Sequence, residues 1–488
     1  MPKHRRSKPS RSHSTKNVWA IVNSCLIALF ILLAGLTSYL LLANNILNVN
    51  GLNWIVIALF IGVTLLAIVL TATKKLQRLT CLILLVASVF VGVFLFATKS
   101  TIDATKRMNE SSFYSEVEMS VVVNKDSAIN NIKEVDKLLA PVDSDQENIQ
   151  GLLTNIKSNE GIDLTTEKVD SYQSAFDTIS SDSNQAMVLN SGFVSLLEQP
   201  GESLKDRVKT IYTYTVRKET KTNSKTANAD VFNIYVSGID TYGPISSVSR
   251  SDVNIIMTVN LKTNKVLLTT TPRDSYVKIP DGGADQYDKL THAGIYGVET
   301  SEKTLENLYG IPIDYYARIN FTSFLKLIDL LGGVEVVNDQ AFTSKHGNYD
   351  FPVGKVTLDS ERALAFVRER YSLDGGDNDR GKNQEKVITA IINKMASLRT
   401  ITNFSSVLNG LGDSIQTNMP TSTLMTIANK QVASGGRYTV ESQDVKGTGS
   451  TGQLKSYAMP GSSLYMYSLD EASVSEAKAA IQSVMEGN

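Results

Sequence analysis

No acidic residue precedes Asp103, although ten basic residues do, among them Lys3, Arg5, Arg6, Lys8, Arg11 and Lys16. The 488-residue chain carries 48 Lys and Arg against 49 Asp and Glu, so 103–488 holds 38 basic and 49 acidic residues, a net charge of −11. A body this acidic argues against a nucleic-acid surface, which must neutralise phosphates. Cysteine is nearly absent: Cys25 and Cys81 both lie in apolar runs, so the rest of the chain has no disulfide to draw on. That suits the surface of a Gram-positive cell and equally a reducing cytosol. With two histidines after residue 98, His292 and His346, and no cysteine there, a His/Cys zinc site is excluded. Also missing are a Gly-x-Ser-x-Gly elbow, a Walker A loop and a Rossmann glycine fingerprint.

What is abundant at the start is uncharged apolar sequence. Three stretches, 18–43, 52–72 and 79–97, each reach the ~20 residues that a helix needs to cross a bilayer. The first is too long for a signal-peptide core and has no small-residue cleavage pattern after it. Basic residues fill the tail before it and the 73–78 connector (Lys74, Lys75, Arg78), whereas the 44–51 connector has none. The positive-inside rule then predicts a multi-pass cell-membrane protein with a short cytoplasmic tail, 1–17, and everything after about 98 outside.

The exported part divides by composition. An accessory α/β domain is expected over 98–218, with Val117–Val123 and Ile211–Val216 as strands and Ala128–Leu139 as an amphipathic helix. The polar stretch ending at Ala229 lacks periodicity and reads as a linker, 219–229. The next unit, 230–400, alternates strands (Phe232–Val236, Val253–Leu261, Lys265–Thr270, Ile313–Ile319, Val334–Val337) with helices (Phe321–Leu331, Ser360–Val367, Glu385–Leu398). That pattern predicts a three-layer α/β/α unit with a mixed sheet. A C-terminal extension, 401–488, ends in an amphipathic helix over 470–485.

If the first three strands of this unit form an antiparallel meander, Asp240, Arg250, Asp252 and Arg273 gather at one end of the sheet. Two carboxylates beside arginines suit a divalent cation and a phosphate, since Mg2+ prefers oxygen ligands and guanidinium forks bind phosphate oxygens in pairs. Ordinary ion pairs at strand ends are the plainer explanation of the same residues. A second cluster follows. Arg368 and Arg370 are two apart, so one ligand can engage both only if their helix unwinds there. Arg380 and Gln384 are four apart and share a face near the start of the next helix, where backbone amides add to an anion site. His292 is read as a loop histidine or a pocket residue. The very apolar helix Phe321–Leu331 is either buried on most sides or, through Phe321, Phe324, Leu325 and Ile328, a wall for a lipid chain.

In order and spacing, Gly238-Ile-Asp240, Arg250-Ser-Asp252, Pro272-Arg273-Asp274, Lys289-Leu-Thr-His-Ala-Gly294, Arg368-Glu-Arg370 and Asp377-Asn-Asp379-Arg380 with Gln384 resemble the LytR–CpsA–Psr family. Three spans followed by an accessory domain resemble its capsular-polysaccharide CpsA-type subgroup. The resemblance implies a phosphotransferase that moves a glycopolymer from polyprenyl pyrophosphate onto peptidoglycan. It implies Mg2+ (or Mn2+) on Asp240 and Asp252, pyrophosphate on Arg273, Arg368, Arg370 and Arg380, and support from Arg250 and Gln384. Asp252 is either base or metal ligand. Other capsule-assembly proteins are further expected partners. A lipid pyrophosphate hydrolase, a non-catalytic module holding lipid-linked polymer, and a regulator of the capsule system remain the alternatives.

Overall fold

The computed structural model describes residues 12–110, 112, 114–198, 202–219, 230–241, 245–397, 404–435 and 437–487. Contacts divide the chain into two units. One comprises Met1–Lys106, Ile401–Asn409 and Pro420–Gly435; the other is Arg107–Thr400, Gly410–Met419 and Gly436–Asn488.

In the first unit, α1 (Ser12–Ala43), α2 (Leu52–Ala72) and α3 (Gln77–Glu110) are each long and apolar enough to cross a membrane. With all backbone bonds made inside each helix, their outer faces stay apolar, as at Phe90 and Phe96. The inner seam packs Phe30 edge-on against Phe60, 6.2 Å between centroids. It also holds a polar clasp, in which Asn23 Nδ2 donates to Gln77 Oε1 at 2.9 Å. The later segment Pro420–Gly435 joins this unit at two points: Asn429 Nδ2 donates to Asn45 O at 2.6 Å, and the Thr105 and Thr421 hydroxyls meet at 2.5 Å. The 44–51 connector and the C-terminal end of α3 therefore lie on one side of the bundle.

The second unit holds two sheets. The first is built from β1 (Tyr114–Asn124), β2 (Lys137–Ala140), β3 (Thr165–Lys168), β4 (Ala186–Asn190) and β5 (Val208–Glu219), in the order β3-β2-β4-β1-β5. Helices α4 (Gln146–Glu160) and α5 (Tyr172–Ser181) accompany it. The helix expected over 128–139 is not there. Asn131 caps a single 3-10 turn, Ile132–Glu134, and Lys137–Ala140 pairs in parallel with Thr165–Lys168. Ile129, Ile132, Val135 and Leu139 mimic a helical period, but two sheet neighbours for β2 outweigh that local pattern, and two consecutive asparagines favour the turn. The strand β5 runs on to Glu219; the remainder of the expected linker, 220–229, lies outside the described residues, as do residues 1–11 of the basic tail.

The central sheet contains β6 (Val231–Ile239), β7 (Ser251–Asn260) and β8 (Lys265–Thr270) as an antiparallel meander whose β7–β8 turn puts Asn264 in the left-handed region. A small hairpin, β9 (Tyr276–Ile279) and β10 (Gln286–Lys289), and helix α6 (Val298–Tyr309) come next. Then β11 (Tyr315–Ile319) pairs in parallel with β6, and α7 (Phe321–Leu331) follows, stopped by left-handed Gly332. The pair β12 (Val334–Asn338) and β13 (Gly354–Leu358) precedes α8 (Ser360–Arg368) and α9 (Asp377–Met395). The helix expected from Glu385 thus begins at Asp377, because acidic Asp377 and Asp379 suit a first turn.

The unit does not close at residue 400. Strands β14 (Gln416–Thr417) and β15 (Thr439–Asp444) form the two edges of the central sheet, giving β14-β11-β6-β7-β8-β15. After the hairpin of β16 (Gly447–Thr451) and β17 (Tyr465–Leu469), the last helix α10 (Glu471–Glu486) buries Ala477, Ile481 and Val484 in one cluster with Tyr235, Ile256 and Leu267 of the sheet. A boundary at 400 is therefore corrected: the sheet needs partners from the extension to cover its edges and its face. The accessory sheet is not walled off either, since Val248, Ile295, Ala458 and Met459 sit in its core.

Candidate functional site

On the face of the central sheet opposite Tyr235 and Ile256, a cavity of about 1150 Å3 opens between the meander and helices α7–α9. Asp240, Arg250, Asp252, Arg273, Arg368, Arg370, Arg380 and Gln384 all line it, although they come from five separate places in the chain. The meander brings the first four to one sheet end. Gly238 is required there: a Cβ on it would stand 2.6 Å from Val253 Cγ2, at the register shift just before Asp240. Gly294 does similar work from the loop after β10, since its Cβ would meet Ser249 O at 2.6 Å and Ser251 N at 2.7 Å. Only a residue without a side chain lets that loop lie against the backbone of Arg250.

The charges are largely matched in pairs. Arg250 Nη2 donates to Asp240 Oδ2 at 3.3 Å, Arg273 Nη1 to Asp252 Oδ2 at 2.5 Å, and Lys289 Nζ to Asp274 Oδ1 at 2.8 Å. Arg380 Nη2 stands 2.5 Å from Asp377 Oδ1 on the first turn of α9. The Thr291 hydroxyl donates to the other Asp252 oxygen at 3.2 Å. Burial opposes ionisation of Asp252, yet Arg273, Arg380 and Arg250 together hold its pKa below the usual carboxylate value. Two donors are left over: Nε of Arg250 and Nε of Arg273 are buried without a hydrogen-bond partner. Arg368 and Arg370 form no ion pair with a carboxylate among the described residues. Arg368 instead lies 4.1 Å from the Phe321 ring centroid, and Arg370 Nη2 donates to the Tyr371 hydroxyl at 2.6 Å.

Both arginines reach the cavity because α8 ends between them. Glu369 is the C-cap, with ψ 135, and its buried carboxylate accepts from the amides of Arg370, Tyr371 and Ser372 at 3.0, 2.7 and 3.0 Å and from Lys345 N at 2.5 Å. Burial works against its charge, but these four amides keep its pKa below normal. Glu369 is thus the post around which the chain unwinds. The sequence showed that unwinding was required but not which residue performs it. Asp379 shapes the glycine loop in the same way, accepting from Gly375 N at 2.7 Å and Gln340 Nε2 at 2.9 Å.

The apolar wall is narrower than the sequence suggested. Phe321 and Phe324 line the cavity with Val236, Val253, Leu364 and Ile388. Ile328 is fully buried in the core between α7, α8 and β12, and Leu325 packs against that core, so neither belongs to the wall. All four lie on one helical stripe, at spacings of three and four, but the cavity reaches only its first turn, at Phe321 and Phe324. His292 is a buried structural residue, its Nδ1 2.9 Å from Asp288 Oδ1. Residues not singled out in the sequence also line the cavity: His346, Tyr371, Leu464 and Tyr465.

Beneath α9, the Thr270 hydroxyl donates to Glu385 at 2.5 Å, and Glu385 hydrogen-bonds Asp444 of β15. Burial and the Asp444 charge push Glu385 up to about 8, so at neutral pH the pair shares a proton.

A divalent cation fits this donor set in one way only. Among the described residues no three His, Cys, Asp or Glu side chains cluster to cage a metal. Mg2+ bound by one or two carboxylates and completed by substrate phosphate oxygens needs no such cage, and Asp240 and Asp252, both on the cavity lining, would supply those carboxylates.

The sequence matches known proteins. The LytR_cpsA_psr family model covers residues 202–482. A model described as DNA polymerase processivity factor covers 74–189, less than half of the chain and including all of α3; nothing in the cavity corresponds to it. Polyisoprenyl-teichoic acid–peptidoglycan teichoic acid transferase TagU of Enterococcus faecalis is 35% identical over 48% of this chain and 76% of its own length. TagU of Bacillus subtilis is 31% identical over 55% of this chain and 81% of its own. The crystal structure of B. subtilis TagU aligns at 30% identity with a TM-score of 0.41, covering 53% of this chain and 98% of that one. The chain belongs to the LytR–CpsA–Psr family.

Proposed function

We propose that this protein transfers a glycopolymer from a polyprenyl pyrophosphate carrier to cell-wall peptidoglycan, with the body after α3 outside the cell. The observation that carries this reading is the cavity's two-sided chemistry. Arg368 and Arg370, which form no ion pair with a carboxylate among the described residues, stand beside a wall of Phe321, Phe324, Leu364 and Ile388. A ligand with an anionic diphosphate head and a hydrocarbon tail satisfies both halves. The relatives' names supply the polyisoprenyl carrier and the peptidoglycan acceptor. We read the catalytic unit as an α/β/α sandwich with this cavity on its α7–α9 side.

In this mechanism an acceptor sugar hydroxyl attacks the phosphorus that bears the glycan. A new phosphodiester forms, the bridge to the second phosphorus breaks, and polyprenyl phosphate leaves with the electron pair, taking up the proton that the hydroxyl loses. Arg273, Arg368, Arg370 and Arg380 stabilise the charge growing on the phosphoryl oxygens. Asp240 and Asp252 would hold Mg2+, which neutralises diphosphate charge when bound. The low pKa of Asp252 and its ion pair with Arg273 favour a ligand and positioning role for it, since a carboxylate held below its normal pKa is a weak base. The polymer we propose is a capsular polysaccharide, on the subgroup resemblance carried by the three apolar helices and the accessory sheet.

The test uses the full chain in detergent with Mg2+, lipid-linked capsular or teichoic polymer, and peptidoglycan fragments. Glycan joined to the fragment, lost in Asp252→Ala and Arg273→Ala, supports transfer, and the polymer accepted decides its class. Glycan phosphate released without any acceptor makes the protein a hydrolase. Tight binding with no turnover makes it a carrier.

A further inference from the structure

The cavity's charged floor and apolar wall account for a diphosphate and a lipid, but not for the sugar that must leave through the mouth. Among the described residues, eight large hydrophobic side chains outside the three apolar helices are exposed, and of these Tyr371 and Tyr465 line the cavity. Two exposed tyrosines on the lining of one cavity offer it apolar surface together with hydroxyls.

Tyr465 is also fixed in place. It opens β17 opposite Thr451, and its ring reaches diagonally across the hairpin onto Gly449, which pairs with Tyr467. A Cβ at Gly449 would lie 2.6 Å from both Cε2 and Cζ of the Tyr465 ring. Glycine inside a strand weakens it, and here it leaves room for the hydroxyl end of the Tyr465 ring against the backbone. Tyr465 as a whole remains 45% exposed. Tyr371 is held by two cations: its hydroxyl accepts from Arg370, whose guanidinium carbon lies 4.7 Å from the ring centroid, and Lys345 Nζ lies 4.2 Å from the same centroid, so a sugar at Tyr371 packs along the ring's remaining exposed edge. A pyranose presents a face of C–H groups, whose positive edges complement the negative face of an aromatic ring.

We infer that Tyr465, packed against Gly449, together with Tyr371 forms a sugar-stacking subsite at the mouth of the cavity, for a pyranose of either the donor glycan or the peptidoglycan acceptor. This rests on the transferase reading given above.

The experiment uses the full chain and three probes: polyprenyl pyrophosphate without sugar, the same lipid bearing a disaccharide, and a peptidoglycan fragment as acceptor. Tyr465→Ala is expected to weaken the disaccharide lipid, or to raise KM for the fragment, roughly three- to tenfold while sugar-free lipid binds as before. Whichever probe moves names the source of the pyranose. Tyr465→Trp should restore the loss, and Gly449→Ala, which lifts the ring, should reproduce it. Equal weakening of sugar-bearing and sugar-free lipid, or no change in either sugar probe, overturns the subsite. If sugar-free lipid fails to bind the wild-type protein, it is the reading of the cavity that falls instead.

Discussion

Replacing Gly294 by alanine tests how the two halves of the site's sheet end are held. The added carbon would stand 2.6 Å from Ser249 O, 2.7 Å from Ser251 N and 3.1 Å from Arg250 C, where an ordinary contact begins at 3.4 Å. All three neighbours are backbone, so no rotamer change relieves the clash. Nor can the strand retreat freely, because Ser251 pairs with Ile239 and its hydroxyl meets those of Tyr235 and Ser237 at 2.9 and 2.8 Å. Overpacking of this kind costs about 2–3 kcal/mol. Across a unit the size of 202–482 that lowers Tm by roughly 3–5 °C. Whatever moves carries Arg250 or Asp252 with it by a fraction of an ångström, and misplacement on that scale lowers turnover about 10- to 100-fold. The control is Gly381→Ala, next to Arg380 inside α9, where the nearest atom is Thr270 Cγ2 at 3.4 Å. Relief of glycine's entropy should make that change neutral or stabilising by about 0.5–1 kcal/mol. Scanning calorimetry and polymer-transfer assays read both quantities. A Gly294→Ala protein that melts and turns over like wild type would refute the close-packing argument.

Three other outcomes follow from the geometry. Glu385 is raised from 4.5 to about 8, so between those values the folded state binds more protons than the unfolded one, and stability falls as pH rises through that window. Glu385→Gln should flatten the Tm–pH curve between about pH 5 and 8; a slope unchanged by the substitution assigns the dependence elsewhere. Chelation of Mg2+ should abolish transfer while lipid binding persists through Arg368 and Arg370, and Asp252→Asn should not recover activity when metal is restored; full activity in chelator removes the cation from the mechanism. For orientation, Asn48→Cys in a background with Cys25 and Cys81 replaced by alanine should react with a membrane-impermeant maleimide on intact cells. Labelling only after lysis reverses the assigned topology.

Local pattern was enough for the elements that bury a continuous apolar face or end in an obligatory residue. The three apolar helices, the β6–β8 meander and α7 with its Gly332 stop were all legible in the sequence, because length, alternation and capping act within a few residues. The motif residues could be grouped at one sheet end for the same reason: antiparallel strands of similar length return to where they began. Other features depended on neighbours far away in sequence. Lys137–Ala140 became a strand because Thr165–Lys168 lies beside it, and Thr439–Asp444 completed a sheet begun two hundred residues earlier. Glu369 organises the arginine turn only once Lys345 is brought to it, Leu325 and Ile328 left the wall when α7 chose its core face, and Tyr465 found Gly449 across a hairpin. Sequence fixes what a residue can do chemically, while the long-range contacts that decide which residues share one cavity exist only after the chain has folded.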